Sequence, residues 1–249
     1  MPPTAEPRPI HESQASELGR LPSFPSLLFH TTLSISLDDG KPSGPFRIVF
    51  PLGTHATLKA AKTFASGALK QLGYDESDFE VYETRLNTDN EDTDSSSWPY
   101  GDGILIHAKR TGSHEFLVGI STTTNNSVLP TRDDDPSEIQ LPHGSDHLYY
   151  IIQTKIDYAV DHSTGVESSD IEGVYLSRLE AITAAKKCLI SDEIKKEDYT
   201  EYDEFDDDSF KDQWPFRDDV VVHAVSSVGE NFLVAVRTVL DTHAHIFQM

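Results

Sequence analysis

Cysteine is nearly absent from this 249-residue chain, which contains only Cys188. A single thiol forms no disulfide within the chain and builds no cysteine-based metal cluster, so the sequence predicts neither. Long apolar runs are missing as well, and the opening segment MPPTAEPRPIHESQASELGR contains no apolar stretch of the kind that directs secretion. These absences predict a cytoplasmic protein that does not associate with a membrane, with the nucleus as the alternative compartment.

Basic residues are scarce relative to acidic ones. The chain has 20 Lys and Arg against 42 Asp and Glu, which gives a formal net charge of -22 at pH 7. Because contacts to phosphate require Lys or Arg, this balance argues against nucleic acid and anionic membranes as partners. The charge leaves open a basic protein, a cation or a small ligand as the partner. It also leaves open the explanation that the charge serves only to keep the protein in solution.

A short phrase occurs twice in the chain. WPYGDGILIHA begins at Trp98, and WPFRDDVVVHA begins 116 positions later at Trp214. The similarity continues without a gap into HAKRTGSHEFLVGIST and HAVSSVGENFLVAVRT, and upstream TLKAAK corresponds to RLEAIT at an offset of 121. Similarity that keeps its order over this length indicates an internal duplication. The predicted division is a disordered tail over 1–25, a first repeat over 26–123, a linker over 124–146, a second repeat over 147–240 and a C-terminal tail over 241–249.

Each repeat shows the same succession of hydrophobic periods. An alternating strand and a second short strand, FRIVF in the first repeat and GVYL in the second, precede a segment of helical periodicity, and three further strands follow. This order predicts an α+β fold, a tandem duplication of a β(β)αβββ unit with one helix packed on a mainly antiparallel sheet in each copy. The sequence leaves open whether the two sheets join edge to edge or pack as a pseudo-dimer.

The periodicity also predicts individual core positions. Tyr150 and Ile152 lie on the predicted buried face of the first strand in the second repeat. Thr54 is the predicted N-cap of the first helix, and Ser177 with Glu180 is a predicted capping box for the second helix. The predicted apolar stripe of the second helix consists of Leu179, Ile182, Ala185 and Leu189.

The repeated phrase supplies the candidate binding residues. Both of its tryptophans precede a proline, which favours extended backbone and a fixed turn before the next strand. One interpretation is a corner that pins the preceding acidic segment to the sheet edge, and the other is an aromatic lip on a binding groove. The candidates are Trp98, Tyr100, His107, Trp214, Phe216 and His223.

Catalysis and metal binding are the competing hypotheses. An enzyme of unfamiliar type would combine the two strand histidines with loop carboxylates in general acid–base catalysis, and those carboxylates are Asp102, Asp218 and Asp219. The acidic segments before the tryptophans, TDNEDTDSSS and EYDEFDDDSFKD, would offer oxygen ligands to a metal ion. Neither segment has the glycine and glutamate spacing of an EF-hand, so the sequence predicts no metal site and no cofactor.

The segments GVYLSRLEAITAAKKCL, EYDE and WPFRDDVVVHAVSSVGENFLVAV of the second repeat resemble the repeated unit of uncharacterised proteins of filamentous fungi. The order of strand, helix, strand and tryptophan is also similar to small bacterial domains of unknown function, over the first part of one repeat. The resemblance implies a fungal intracellular protein with this order of elements, and it implies no activity, ligand or catalytic residue.

The preferred hypothesis is a non-enzymatic binding module for a protein or small ligand that the sequence does not identify. Two joined copies present similar surfaces at high effective concentration, which favours a binding function. The groove between the copies is one place where such a ligand would bind.

Overall fold

The structure, a computed structural model, describes residues 23–37, 46–85, 98–111, 114–158, 166–205 and 214–239. Nearly all of the two predicted tails and most of the two acidic segments lie outside these ranges. Within the described ranges, each repeat forms a five-stranded antiparallel sheet with one α-helix. The predicted tandem α+β fold is therefore confirmed.

Both repeats have the same topology. The first repeat consists of β1 (Leu27–Leu37), β2 (Phe46–His55), α1 (Leu58–Gln71), β3 (Val81–Thr84), β4 (Ile104–Lys109) and β5 (Glu115–Thr124). The second repeat consists of β6 (Tyr149–Asp157), β7 (Val166–Tyr175), α2 (Arg178–Ala185), β8 (Tyr199–Glu204), β9 (Val220–Ser226) and β10 (Asn231–Arg237). Across the sheets the strand orders are β2-β1-β5-β4-β3 and β7-β6-β10-β9-β8, which is one arrangement used twice.

Irregularities in the strand ladders occur at equivalent places in the two repeats. Leu52 is skipped in the β1–β2 ladder, and Glu172, 120 positions later, is skipped in the β6–β7 ladder. Leu105 is skipped in the β4–β5 ladder, and Val221, 116 positions later, is skipped in the β9–β10 ladder. A bulge is a specific feature of one strand pair, so two shared bulges support descent from one ancestral unit.

The helix starts differ in part from the predicted ones. Thr57, not Thr54, is the N-cap of α1, and its hydroxyl accepts a hydrogen bond of 3.2 Å from the backbone N–H of Ala60. Thr54 belongs to β2 because the ladder with β1 extends past it. Gly73, with a φ of 87°, follows the last turn of α1. Ser177 is the N-cap of α2, but its side chain accepts no cap hydrogen bond, so the predicted capping box does not form.

Small residues form the buried face of α2. Ala181 and Ala185 are buried, and at an offset of 120 they correspond to the buried Ala61 and Ala65 of α1. Alanines let the helix backbone approach the sheet closely, and this orientation turns Leu179 outward, where its exposed fraction is 74%. The predicted stripe of α2 is therefore wrong at Leu179.

Three apolar clusters stabilise the fold. One lies between α1 and the first sheet, and another lies between α2 and the second sheet. The third, called here the inter-repeat core, joins the two repeats and consists of Leu28, Val49, Leu129, Leu148, Tyr150, Ile152, Ile171 and Val174. The two sheets therefore pack face to face with their helices on the outside, which decides between the two arrangements that the sequence left open.

Strand β6 is covered on both faces. Ile151 packs toward α2, whereas Tyr150 and Ile152 pack into the inter-repeat core. The predicted buried face of this strand is thus buried against the other repeat and not against its own helix. A strand covered on both sides carries apolar residues at successive positions, as in the segment LYYII from Leu148 to Ile152.

The second strand of the second repeat is longer than the predicted GVYL segment. Strand β7 spans Val166–Tyr175, and its polar half, VESSD, occupies the place of FRIVF in the first repeat. Both β2 and β7 lie at the edge of their sheets, and in the polar half of β7 the hydroxyl of Ser169 forms a hydrogen bond of 2.8 Å with that of Thr154.

The segment predicted as a linker packs against both repeats. Leu129 is 1% exposed and belongs to the inter-repeat core. The side-chain amide of Asn125 donates to the carbonyl of Pro25 at 2.9 Å, and the hydroxyl of Ser127 donates to the carbonyl of Val174 at 2.8 Å.

In the described ranges, no helix combines the length and the apolar character needed to cross a bilayer.

Candidate functional site

The six predicted binding residues form two equivalent clusters. In the first cluster, the ring of Tyr100 stacks on His107 with centroids 3.9 Å apart, and Trp98 packs edge-on against Tyr100 at 5.0 Å. In the second cluster, Phe216 stacks on His223 at 4.3 Å, and Trp214 packs against Phe216 at 5.0 Å. The structure thus brings the candidates together three by three, once in each repeat.

Carboxylates hold the histidine of the first cluster on both sides. Nδ1 of His107 lies 3.1 Å from Glu83 and Nε2 lies 3.0 Å from Glu115. The Tyr100 hydroxyl donates to Glu83 at 2.6 Å, and this hydrogen bond raises the pKa of Tyr100 to about 12. The hydrogen bonds from Tyr100 and His107 lower the pKa of the Glu83 carboxyl.

The second cluster has the same arrangement of side chains around its histidine but fewer charged groups. Nδ1 of His223 lies 3.3 Å from Asp203, and Nε2 lies 3.3 Å from the side-chain oxygen of Asn231. Asn231 stands where the first repeat has Glu115, and Phe216 stands where it has Tyr100. The ring nitrogens of both histidines therefore have partners, and one face of each ring is covered by an aromatic side chain.

These contacts favour the corner interpretation of the repeated phrase. The indole N–H of Trp98 donates to the carbonyl of Ile104 at 3.1 Å, which attaches the turn to the start of β4. The carboxylates that the catalytic hypothesis requires have other partners, because Asp102 pairs with Arg85 and Asp219 pairs with Arg237. Asp218 is exposed. None of the three is brought to a histidine among the contacts of the described residues.

Glu201, Asp203 and His223 form one group whose possible ligand atoms lie within 4.8 Å of one another. Both carboxylates are exposed, and each nitrogen of the histidine already has a hydrogen-bond partner. Nothing else in the described part of the chain points to an ion at this group. Cys188 packs against the apolar cluster between α2 and the second sheet, and burial raises the pKa of its thiol to about 12.

The two tryptophans differ in one respect that gives a testable prediction. The indole nitrogen of Trp214 is buried and has no hydrogen-bond partner, whereas that of Trp98 donates to a carbonyl. We expect Trp98→Phe to lower the free energy of unfolding by about 1 kcal/mol more than Trp214→Phe does, because only the first loses a hydrogen bond. Urea unfolding of the two variants measures this difference, and an equal or reversed order would contradict the assignment.

A groove of about 490 Å³ lies on the outer side of α2. Its apolar lining consists of Leu179, Ile182, Ile190 and Phe205. Phe205 also contacts the indole ring of Trp214, with centroids 5.7 Å apart, so the second cluster supports one wall of the groove. This surface, called here the α2 groove, has the volume of an ordinary ligand pocket, about 300–1,000 Å³.

Lysines surround this apolar lining. Lys186, Lys187 and Lys196 line the α2 groove together with Glu204, which forms an ion pair with Lys196. Three lysines on one groove stand out in a chain with only 20 basic residues against 42 acidic ones. The groove therefore combines an apolar floor with positively charged groups at its rim.

The first repeat provides an internal comparison for the α2 groove. The N-caps Thr57 and Ser177 fix the correspondence of the two helices at an offset of 120. At the positions of the four apolar lining residues the first repeat has only basic side chains, and these are Lys59, Lys62, Lys70 and Arg85. This difference between basic and apolar residues is visible in the sequence when the two repeats are compared position by position. The periodicity of one helix alone does not reveal it.

A comparison of the chain with protein-family models, with curated proteins and with solved structures finds no match.

Proposed function

We propose that the chain is a non-enzymatic binding module whose second repeat binds a partner protein through the α2 groove. The partner supplies an apolar peptide segment flanked by acidic residues. The observation that carries this proposal is the exchange of four basic residues of the first repeat for four apolar residues of the second, at equivalent positions on one surface.

The exposure of one lining residue supports a binding role. Leu179 is 74% exposed, although it is a large apolar side chain. An exposed aliphatic residue on its own is ordinary, but a contiguous apolar groove rimmed by charge marks an interaction site. Ile182 and Phe205 also pack against the core of the second repeat, whereas Leu179 is exposed, and the equivalent helix of the first repeat folds with a lysine in its place.

The charge of the rim determines the kind of partner. The overall net charge of -22 repels an acidic protein at long range, whereas Lys186 and Lys187 attract acidic side chains locally, since Lys196 is already paired with Glu204. Opposite charges around an apolar contact set register and orientation more than they add affinity. A segment with apolar residues at its centre and acidic residues at its ends therefore fits the groove better than a purely apolar one.

The histidines support a binding function over a catalytic one. General acid–base catalysis requires a side chain that reaches a substrate proton, and the ring nitrogens of His107 and His223 are already held by neighbouring side chains. A cytoplasmic location in a fungal cell, which the sequence resemblance implies, belongs to the same proposal.

Peptide binding to the full chain tests the proposed function. The probes are two peptides with the same central Leu, Ile and Phe residues, one flanked by glutamates and the other by lysines. We expect the glutamate-flanked peptide to bind at least tenfold more tightly. Leu179→Lys with Ile182→Lys, which introduces the lysines of the first repeat, should weaken its binding about 100-fold, because two aliphatic side chains each contribute about 1.5 kcal/mol when buried.

The first repeat supplies the matched control for this experiment. Lys59→Glu with Lys62→Glu changes the equivalent positions of α1, and it should leave the affinity for the glutamate-flanked peptide within about twofold. Fluorescence anisotropy of labelled peptides measures all these affinities. Equal binding of the two peptides, or full binding by the double lysine variant, would refute the proposal.

A further inference from the structure

Arg237 makes an asymmetric contact between the two repeats. Its side chain is 9% exposed and lies in the interface, where it donates to the backbone carbonyl of Val49 on the edge strand β2. Its Nε donates to Asp219 at 2.5 Å, and its guanidinium lies 5.5 Å from the ring centroid of Phe50. A cation of the second repeat is thus held between a carboxylate, a carbonyl and an aromatic face.

The duplication identifies the equivalent place in the first repeat. At offsets of 116 and 120, Ser121 corresponds to Arg237, Gly103 to Asp219, and Ser169 to Val49. The position of Phe50 corresponds to Asp170. The first repeat therefore lacks both the arginine and its carboxylate, and the strand β7 that faces this place carries Asp170 where β2 carries Phe50 at the Arg237 site.

A cavity of about 180 Å³ lies at this equivalent place. Its lining includes Gly103, Ser121, Ser169 and Asp170, the four counterparts of the residues at the Arg237 site. Gly103 and Asp170 are exposed, so the cavity opens to solvent on that side. The remaining lining consists of two hydroxyl residues, two glycines and four aliphatic residues, and the hydroxyls are those of Thr32 and Ser34.

We infer that this cavity binds a guanidinium group supplied from outside the chain, in the place that Arg237 fills in the other repeat. The Asp170 carboxylate, the hydroxyls and the edge strand β7 offer acceptors for a planar donor with several N–H groups. The negative charge of the chain favours a cationic ligand. The site is separate from the α2 groove, so it is independent of the function proposed above.

Guanidinium is the preferred cation because the second repeat uses it. Its N–H groups lie in one plane and point in fixed directions, so it contacts a carboxylate and a carbonyl at once, as Arg237 does. An ammonium is a compact, strongly hydrated charge and loses more hydration in a site of this shape. The group comes either from a free small molecule or from an arginine side chain of another polypeptide.

Isothermal titration calorimetry with the full chain tests the inference and distinguishes the two sources. The probes are agmatine and the blocked peptide Gly-Arg-Gly, with cadaverine and blocked Gly-Lys-Gly as ammonium controls. We expect each guanidinium probe to bind at least tenfold more tightly than its ammonium control. Tighter binding of agmatine assigns the site to a small molecule, and tighter binding of the peptide assigns it to an arginine of a partner. Absence of binding, or equal binding of the ammonium controls, overturns the inference.

Two variants locate the binding in this cavity. Asp170→Asn should weaken the binding of the guanidinium probes at least tenfold. Asp192→Asn removes an exposed acid outside the cavity lining and should leave their binding unchanged. Ser121→Arg reproduces the arrangement of the second repeat, and we expect it to keep or raise the melting temperature while it abolishes binding. Unchanged binding by Asp170→Asn contradicts the assignment, whether or not the arginine variant folds.

Discussion

Tyr150→Ala is expected to lower the free energy of unfolding by about 4 kcal/mol, the largest effect among the single substitutions considered, because truncation of a buried aromatic leaves a cavity. Tyr150 is 1% exposed and lies in the inter-repeat core. Its hydroxyl is 2.8 Å from that of Thr54 in the other repeat, and its ring packs edge-on against His30 at 5.7 Å. The substitution removes apolar contacts and a hydrogen bond between the repeats together.

Two control variants separate these contributions. Tyr150→Phe keeps the ring and should cost only about 1–2 kcal/mol, the usual range for one buried hydrogen-bonded hydroxyl. Tyr158→Ala removes a tyrosine that is 41% exposed just after the same strand, and it should change the stability by less than about 0.5 kcal/mol. Equilibrium urea unfolding measures all three. A loss for Tyr150→Ala no larger than that for Tyr158→Ala would show that the repeats do not share a core.

Acid is expected to destabilise the same interface through His30. This side chain is fully buried, with Nδ1 2.8 Å from the hydroxyl of Thr54 and Nε2 2.8 Å from that of Thr123. Burial, with a smaller contribution from the charge of His55, lowers the pKa of His30 from 6.5 to about 4. Below pH 6.5 the unfolded chain therefore takes up a proton at this residue before the folded chain does. The contribution of neutral His30 to the free energy of unfolding is complete above pH 6.5. About 3 kcal/mol of this contribution is lost as the pH falls toward 4.

The variant His30→Gln isolates this contribution from the other titrating groups. Glutamine keeps a donor and an acceptor near the two threonine hydroxyls but has no proton to gain in this range. The difference in free energy of unfolding between wild type and variant should shrink by about 3 kcal/mol between pH 7 and pH 4. A difference that stays constant with pH would mean that His30 accepts its proton in the folded state as easily as in the unfolded chain.

His30 and Tyr150 are themselves equivalent residues, 120 positions apart in the equivalent strands β1 and β6 of the two sheets. Their rings contact each other across the interface, so a histidine of the first repeat packs against the equivalent tyrosine of the second repeat. Sequence periodicity could not identify this contact, because it shows that a strand is buried but not what covers each of its faces. The run LYYII at Leu148–Ile152 indicates two covered faces only once a second sheet is known to be present.

The elements themselves were predictable from sequence. Alternation and glycine-containing turns predict three strands after each helix, and the structure has three strands there in both repeats. The repeated phrase correctly gave the equivalence of Trp98 with Trp214 and of His107 with His223. Where polar residues carry an edge strand, as in VESSD of β7, the pattern gave no strand signal.

The α2 groove was missed for a specific physical reason. Leu179 and Ile182 share a helical stripe with Ala185 and Leu189, and large apolar residues are the usual core formers. Ala185, Leu189 and Ile182 do pack on the sheet side, but Ala181 is buried there as well and Leu179 is turned outward. Which of two overlapping stripes faces a sheet depends on the space that the sheet leaves, and one helix sequence does not contain that information.

We propose that the second copy of the duplicated unit binds a partner through the α2 groove, whereas the first copy keeps a charged surface at the equivalent place. Backbone amide NMR spectra of the full chain, titrated with the glutamate-flanked peptide, locate the binding surface. We expect shift changes concentrated between Leu179 and Phe205, with the equivalent residues from Lys59 to Arg85 unchanged. Changes of similar size in both repeats, or changes only in the first repeat, would contradict it.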